Sequence, residues 1–209
     1  MDKKLKEMLD LSKLNKATEI EKRFEEISRL LFQEYRIKKG EVLYDFLQIE
    51  FYYYTKGHED VITYPRTTDA GKWFFHSSGV DLTFLSECKN PDFLKSEEVN
   101  DNYFGGILIQ AIRKKDEKGV VSDIIGPQKT TWELFDCFDA FEMKREEFPL
   151  IVSKTKEEKE LERRKRKITF NKNDEKEILK AKQRFDKGYP KFLDFLEADY
   201  QFIFKNKND

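Results

Sequence analysis

The spacing of apolar positions changes character near residue 40. Apolar residues recur at helical spacing from Ile20 to Leu31. Thr18 and Glu21 ahead of them have the form of a capping box, in which two side chains satisfy free N–H groups of the first turn. The pattern predicts an amphipathic helix of about 18 residues that ends before Gly40.

After this helix the chain is rich in the β-branched and aromatic residues of strands. VLYDFLQIEFYYY (residues 42–54) is long for one strand, so we expect a bend or a bulge within it. KWFF (72–75), VDLTF (80–84) and GGILIQAI (105–112) predict three more strands, the last one apolar on both faces. The polar segments 55–71 and 87–102 are expected to form turns and a surface loop.

The second half mixes charged and apolar segments. DEKG (116–119) predicts a hairpin turn into VVSDIIGP (120–127). TTWELFDCFDAF (130–141) predicts a helix, with Thr130 and Glu133 as a capping box and an inner side formed by Trp132, Phe135, Phe138 and Ala140 or Phe141. We expect a charged helical segment at about 154–167, a return to the sheet at ITF (168–170), a helix from about Asp174 to Phe185, and a closing strand YQFIF (200–204).

These elements predict an α+β fold with an antiparallel or mixed curved sheet and flanking helices. Residues 1–40 would form an N-terminal helical segment, and residues 41–209 a single α+β domain. The chain has 209 residues, a length suited to one core. Its hydrophobic fraction is only 38%, but aromatic residues make up 14% and bury a large area each.

The charge balance excludes a strongly basic nucleic-acid binder. Lys and Arg number 40 and Asp and Glu 41, which gives a formal net charge of −1. The sequence lacks an apolar run long enough to span a membrane, and MDKKLKEMLD lacks the apolar core of a signal peptide, so we expect an unexported, cytoplasmic protein. Cys88 and Cys137 are expected to be reduced thiols, and we expect no metal and no cofactor.

Four segments in order carry a family resemblance. They are QIEFY (48–52), AGKWFFHSSG (70–79), GGILIQAI (105–112) and IGPQK (125–129). They resemble the methylpurine (3-methyladenine, alkyladenine) DNA glycosylase family, whose signature runs E-x-Y, P-G-x-x-Y-V-Y, V-L-L-R-A-L and G-P-x-K-L. The match spans about Val42 to Phe141, roughly half of the chain. It implies a compact α+β fold, hydrolysis of the bond between a modified base and its sugar, and nucleic acid as partner.

Glu50 is the candidate catalytic residue. Hydrolysis of an N-glycosidic bond needs a carboxylate that deprotonates water and faces the positive charge developing on the sugar. Glu50 is a lone acid between apolar neighbours in an aromatic strand, and the resemblance assigns it the role of water-activating base. The alternative is that Glu50 points outward while Ile49, Phe51 and Tyr53 face the core.

The resemblance also implies a base pocket. Tyr52 and Phe75 match positions that contact the flipped base, and stacking on aromatic rings holds such a base. His58 lies close to a pocket histidine of the family, and His76 would be a polar group entering the pocket. Ordinary core packing is the alternative for the two aromatic residues, and a surface position is the alternative for His58.

Two positions depart from the family. Ser78 stands where the family inserts a tyrosine into the duplex, and Gln110 stands where it has an arginine near the pocket or phosphate. A serine is too small to fill a gap in stacked DNA. Ser78 would therefore contact nucleic acid without opening a duplex, and Gln110 would face the base. A free nucleotide, a nucleoside, single-stranded nucleic acid or an unusual base are open as substrates.

With so little net charge, phosphate contacts would have to be local. The candidates form two basic spots, namely Arg113, Lys114 and Lys115, and the run Arg163, Arg164, Lys165, Arg166 and Lys167. The alternatives are the charged rim of a hairpin and a solvated helix face. The sequence thus favours a glycosylase-like hydrolase acting on modified DNA or a nucleotide. A non-catalytic module that binds nucleic acid or protein is the second hypothesis.

Overall fold

Two long antiparallel strands, β2 (Val42–Thr55) and β6 (Phe104–Lys115), lie side by side at the centre of the sheet. The structure is a computed structural model and describes residues 3–90, 101–116, 118–136 and 147–205. The described residues form ten strands in one sheet, and every strand pairing among them is antiparallel. The predicted α+β class with a curved sheet is confirmed at this level.

The remaining elements follow in chain order. Before β2 come α1 (Lys3–Met8), α2 (Ala17–Glu34) and β1 (Tyr35–Lys39). Between β2 and β6 come β3 (His58–Glu59), β4 (Trp73–His76) and β5 (Gly79–Thr83). After β6 come β7 (Val121–Ile125), α3 (Pro127–Phe135), β8 (Leu150–Ser153), β9 (Glu160–Arg164), α4 (Glu175–Phe185), a 3₁₀ turn (Asp186–Gly188), α5 (Tyr189–Leu196) and β10 (Gln201–Lys205).

A bulge in β2 divides the sheet into two branches. Register shifts between Phe46 and Ile49 show that the predicted bend is present. Before the bulge, β2 pairs with β1, which pairs in turn with β8. From Gln48 onward, β2 pairs with β10, which pairs in turn with β9. An extra residue bends a strand and increases its twist, so the two branches leave the same strand in different directions.

The main core lies between α2 and one face of the sheet. Phe51 on β2 stacks on Phe24 of α2, with ring centroids 4.5 Å apart, and Ile49 and Tyr53 are fully buried in the same cluster. Alternation along a strand then sends Glu50, Tyr52 and Tyr54 to the opposite face.

A second, smaller layer covers that opposite face. Tyr54 packs there with apolar residues of β6, α4 and α5, including Phe104, Phe185 and Phe192. Thus β2 is buried on both faces. The outward orientation considered for Glu50 is correct relative to the main core, but the side chain meets a second layer of protein instead of solvent.

Both predicted capping boxes are wrong. Helix α2 begins after Lys16 and α3 begins after Gly126, so Thr18 and Thr130 both lie inside helices. The predicted length of α2 is confirmed, because it has 18 residues and ends at Glu34, before Gly40, where β1 follows directly. Pro127 at the start of α3 explains its early beginning, because proline is favoured in the first turn.

The charge run is also different from expectation. Residues 160–164 form strand β9 where a helical segment was predicted, and residues 168–170 contribute to no strand. On α3, Trp132 is 69% exposed, so its inner position was wrong, whereas Leu134 is fully buried. Phe138, Ala140, Phe141 and most of the predicted loop 87–102 lie outside the described residues. No helix in the described part of the chain is long and apolar enough to cross a membrane.

Candidate active site

A row of side chains crosses four neighbouring strands on the face opposite α2. Gln201 on β10 pairs with Glu50 on β2, Glu50 pairs with Leu108 on β6, and Leu108 pairs with Asp81 on β5. Directly paired residues of antiparallel strands point to the same face. The register therefore places two carboxylates, Glu50 and Asp81, on either side of one leucine.

A cavity of about 310 Å³ lies over this row. Its volume is at the lower end of the range of roughly 300–1,000 Å³ seen for small-molecule sites. Apolar wall groups come from four residues, Ile62, Leu108, Pro127 and Ile168. Six residues singled out in the sequence also line it: Glu50, Tyr52, His76, Ser78, Gln110 and Lys167.

Glu50 is fully buried and accepts three hydrogen bonds. The Tyr52 hydroxyl donates to Oε2 over 2.8 Å, while the Gln201 amide and the backbone N–H of Lys167 donate to Oε1 over 2.5 and 3.0 Å. A carboxylate has about four acceptor sites, so these donors leave room for one more at the cavity wall. Burial, followed by the nearby Glu50 charge, raises the pKa of Tyr52 well above its ordinary value, which keeps the phenol protonated and donating.

Arg166 supports Glu50 and Tyr52 from behind. Its side chain is fully buried, pairs with the buried carboxylate of Asp60 over 2.6 Å, and lies over the Tyr52 ring at 4.6 Å from the centroid. It also donates to the carbonyl oxygen of Phe51, the residue between Glu50 and Tyr52. The Asp60 charge, acting against burial, raises the pKa of Arg166, so the guanidinium remains charged. Arg166 therefore fixes the strand that carries the site and is not a surface phosphate contact.

A second charged group is built around Asp81. Its two oxygens bind Nη1 of Arg66 at 2.7 Å and Nε2 of His76 at 2.9 Å, and all three side chains are less than a tenth exposed. Gly106 on β6 makes room for this group, because a Cβ atom at Gly106 would lie 3.2 Å from Nη1 of Arg66 and 3.0 Å from Cβ of Asp81. The Ser78 backbone N–H lies 3.3 Å from Nδ1 of His76, so both ring nitrogens have a partner.

The mouth of the cavity carries two exposed cations. Lys167 follows the buried Arg166, and Arg184 of α4 lies 5.9 Å from the ring centroid of Tyr64. Neither has a carboxylate partner among the described residues. A hydrogen bond with Ser77 lowers the pKa of Tyr64 against the effect of burial, and Ser78 and Arg184 act in the same direction as Ser77. The mouth is therefore a positive environment.

Two predicted pocket residues lie elsewhere. Phe75 is 53% exposed and its ring meets Phe135 edge-on at 4.7 Å, so it is outside the cavity lining. His58 is buried between the carbonyl oxygen of Tyr53 and the hydroxyl of Tyr200, at 2.7 and 2.9 Å. Neither a pocket nor a surface position is correct for His58, because it belongs to the packing behind β2.

The two basic spots are largely neutralised by ion pairs. At the first, Arg113 pairs with Asp123, Lys114 with Glu133, and Lys115 with Asp45. At the second, Arg163 pairs with Glu21, Arg164 with Glu162, and Lys165 with Glu197. Of the eight cations singled out, Lys167 alone is both at the cavity and without a carboxylate partner within the described ranges.

The sequence reasoning missed Tyr64, Arg66, Asp81 and Arg184, which all line the cavity. One signal was available for Asp81, which is a lone carboxylate in the apolar strand VDLTF just as Glu50 is in its own strand. Tyr64 and Arg66 lie in the segment expected to be turns, and Arg184 lies in a predicted helix. Only the fold brings these three to the site.

Comparison with protein-family models, curated proteins and solved structures gives no match to this chain. The function therefore has to be inferred from the cavity itself. No group of three or more His, Cys, Asp or Glu side chains suited to hold a metal ion is present among the described residues.

The arrangement places two carboxylates and an amide at the cavity. One carboxylate, Glu50, accepts three hydrogen bonds of the roughly four that it could accept, and a second, Asp81, is held in place by Arg66 and His76. Gln110 adds an amide that both donates and accepts hydrogen bonds. Carboxylates of this kind can stabilise positive charge, and an amide can hydrogen-bond to the edge of a heterocycle.

Proposed function

We propose that the cavity is the active site of a hydrolase that cleaves the N-glycosidic bond of a modified base, with Glu50 as general base. The observation that carries this proposal is the position of Glu50. It is a fully buried carboxylate at the wall of a cavity of about 310 Å³, oriented by Tyr52, Gln201 and Lys167. Burying an acid is costly unless its charge is used or compensated.

In the proposed reaction, Glu50 takes a proton from a water molecule as the water oxygen attacks the anomeric carbon of the sugar. The electron pair of the carbon–nitrogen bond leaves with the base. A base made cationic by alkylation departs neutral and needs no proton from the protein. The carboxylates of Glu50 and Asp81 face the positive charge that develops on the sugar, which lowers the barrier electrostatically.

Other residues of the cavity lining are suited to hold the base. Tyr52 and Tyr64 supply aromatic rings, and stacking on such rings is worth about 1–3 kcal/mol per base. Gln110 presents an amide for hydrogen bonds to the edge of the ring, whereas both ring nitrogens of His76 are already engaged by Asp81 and Ser78. Tyr64 takes the place in the proposal that the sequence assigned to Phe75.

The decisive experiment compares the wild type with Glu50→Gln. Substrates are alkylated duplex DNA, alkylated single strands and alkylated nucleotides, with released base measured by chromatography and abasic sites by strand cleavage. We expect Glu50→Gln to lower the rate by about 10²–10⁴, the usual contribution of a general base. Glu41→Gln is the matched control, because Glu41 is an exposed glutamate outside the cavity.

The Glu50→Gln variant is expected to fold. The oxygen of the new amide can accept hydrogen bonds from Gln201 and Lys167, and its nitrogen can donate one to the Tyr52 hydroxyl. Thermal unfolding of both variants checks this. If no substrate releases a base, or if Glu50→Gln is as active as the wild type, the proposal is wrong. Binding of these substrates with no base release would favour a non-catalytic module.

A further inference from the structure

The cations at the cavity mouth differ from those of the two basic spots. Arg113, Lys114, Lys115 and the run from Arg163 to Arg166 are all matched by carboxylates. These ion pairs, all on the surface except the buried pair of Arg166 and Asp60, reduce the positive charge available for a phosphate backbone. A continuous track for a polymer is therefore not formed by the residues that the sequence suggested.

Lys167 and Arg184 keep their positive charges uncompensated by a carboxylate in the described ranges, and Arg184 also contacts Tyr64. Both are exposed, both line the cavity, and neither has a carboxylate partner in the ranges 3–90, 101–116, 118–136 and 147–205. Inside the cavity, by contrast, Arg66 is neutralised by Asp81 over 2.7 Å. The positive charge without a carboxylate partner is thus at the mouth, and the interior offers the Glu50 carboxylate, the Arg66–Asp81 ion pair and neutral polar groups.

Lys167 and Arg184 reach the cavity from two different parts of the chain. The backbone N–H of Lys167 donates to Glu50 over 3.0 Å, so Lys167 links the proposed general base, Glu50, to the mouth of the cavity. Arg184 approaches from α4, next to Tyr64. A ligand whose ring enters the cavity would leave its other end between these two cations, and an arginine binds phosphate oxygens with two parallel N–H donors.

We propose that the substrate is a free nucleoside monophosphate, with its base in the cavity and its phosphate between Lys167 and Arg184. This inference rests on the proposed function for the placement of base and sugar. The small volume of about 310 Å³ and the two mouth cations fit one nucleotide. Ser78, which lines the same cavity, offers no bulk with which to separate stacked bases of a duplex.

Binding measured by titration calorimetry tests the inference. The probes are alkylated and unmodified nucleoside monophosphates, the matching nucleosides, and alkylated and unmodified single-stranded oligonucleotides without terminal phosphates. We expect at least one monophosphate to bind about 10- to 100-fold more tightly than its nucleoside, the effect of one or two hydrogen bonds to a charged group.

Matched variants locate the phosphate site. Lys167→Gln and Arg184→Gln are each expected to weaken monophosphate binding about tenfold and to weaken nucleoside binding much less. Lys165→Gln and Lys182→Gln remove the same charge two residues away, outside the cavity, and are expected to change neither affinity. All four positions are exposed, so the variants should fold.

The inference is overturned if no monophosphate binds, if nucleosides bind as tightly as monophosphates, or if Lys165→Gln is as harmful as Lys167→Gln. Tighter binding of the oligonucleotide than of every monophosphate would also overturn it, in favour of a polymer substrate. Its failure is distinct from that of the hydrolase proposal. Monophosphate binding without base release supports the phosphate site and contradicts the hydrolase. Base release from oligonucleotides without monophosphate binding supports the hydrolase and contradicts the phosphate site.

Discussion

The buried pair of Arg166 and Asp60 offers a direct test of how the site is supported. Arg166 contacts Asp60 through two nitrogens, at 2.6 and 3.3 Å, and both side chains are fully buried. It also donates to the carbonyl oxygens of Phe51 and Phe195. Replacing it with methionine keeps much of the volume but leaves Asp60 as an uncompensated buried charge.

Removing one partner of a buried ion pair costs about 3–5 kcal/mol, which is a large part of the roughly 5–15 kcal/mol that stabilises a typical domain. We expect Arg166→Met to lower the free energy of unfolding by an amount in that range. Urea denaturation followed by circular dichroism measures it. Asp60→Asn should also be destabilising, because it leaves the guanidinium without its charge partner.

The double variant Asp60→Asn with Arg166→Met separates the pair from the rest of the packing. Because it leaves no unpaired charge, it should lose at least about 2 kcal/mol less than the sum of the two single variants. A loss below about 1 kcal/mol for Arg166→Met, or additive losses in the double variant, would refute the reasoning. If Arg166 contacted nucleic acid instead, its replacement would weaken binding and leave stability nearly unchanged.

Two further predictions concern His58 and the glycine pair of β6. Burial lowers the pKa of His58 from its ordinary value of about 6.5, so the unfolded chain takes up a proton first as the pH falls. The contribution of neutral, buried His58 to the free energy of unfolding is therefore fully present above about pH 6.5. Below that pH the free energy of unfolding falls by at most about 1.4 kcal/mol per pH unit because of this group. His58→Gln should flatten that part of the stability profile measured by urea denaturation between pH 5 and 7, and an unchanged slope would contradict this explanation. A Cβ at Gly105 would overlap the backbone oxygen of Tyr52, whereas at Gly106 it would lie 3.0 Å from its nearest neighbours, Cβ of Asp81 and the backbone oxygen of Leu82. Gly106→Ala should cost about 1–3 kcal/mol and Gly105→Ala more in the same assay, so the reverse order would count against the packing argument.

Much of the sheet could be predicted because its strands carry local signals. The branched and aromatic side chains of residues 42–54 predict a strand, and the length of this segment alone predicts a bend. Helix α4 was also predicted closely, since the Asp174 side chain caps its first turn by accepting from two backbone N–H groups. In these segments, local preference and final structure agree.

Elements that depend on distant partners could not be predicted. Residues 160–164 (ELERR) have no strand pattern of their own, and they form β9 because they pair with β10. Helix α3 begins at Pro127 and not at the capping box predicted at Thr130. The Thr130 side chain is instead buried, with its hydroxyl 3.4 Å from the carbonyl oxygen of Gln110. A local motif is therefore a weak guide where tertiary contacts compete with it.

The same distinction applies to the site. Glu50 and Asp81 stand out as acids in apolar strands, so a sequence argument can find both. Tyr64 and Arg184 have no comparable signal, because they are ordinary residues in a turn segment and on a helix surface. Their role follows only from the way in which the second layer folds over β2.

The row of paired residues across β10, β2, β6 and β5 also has a kinetic consequence. Two of its members, Glu50 and Gln201, are 151 residues apart in the chain. Contacts between residues so far apart in sequence form slowly, because long loops must close first. During synthesis, Glu50 leaves the ribosome long before Gln201 is made. The row of side chains is therefore completed only when β10 docks on β2, late in folding.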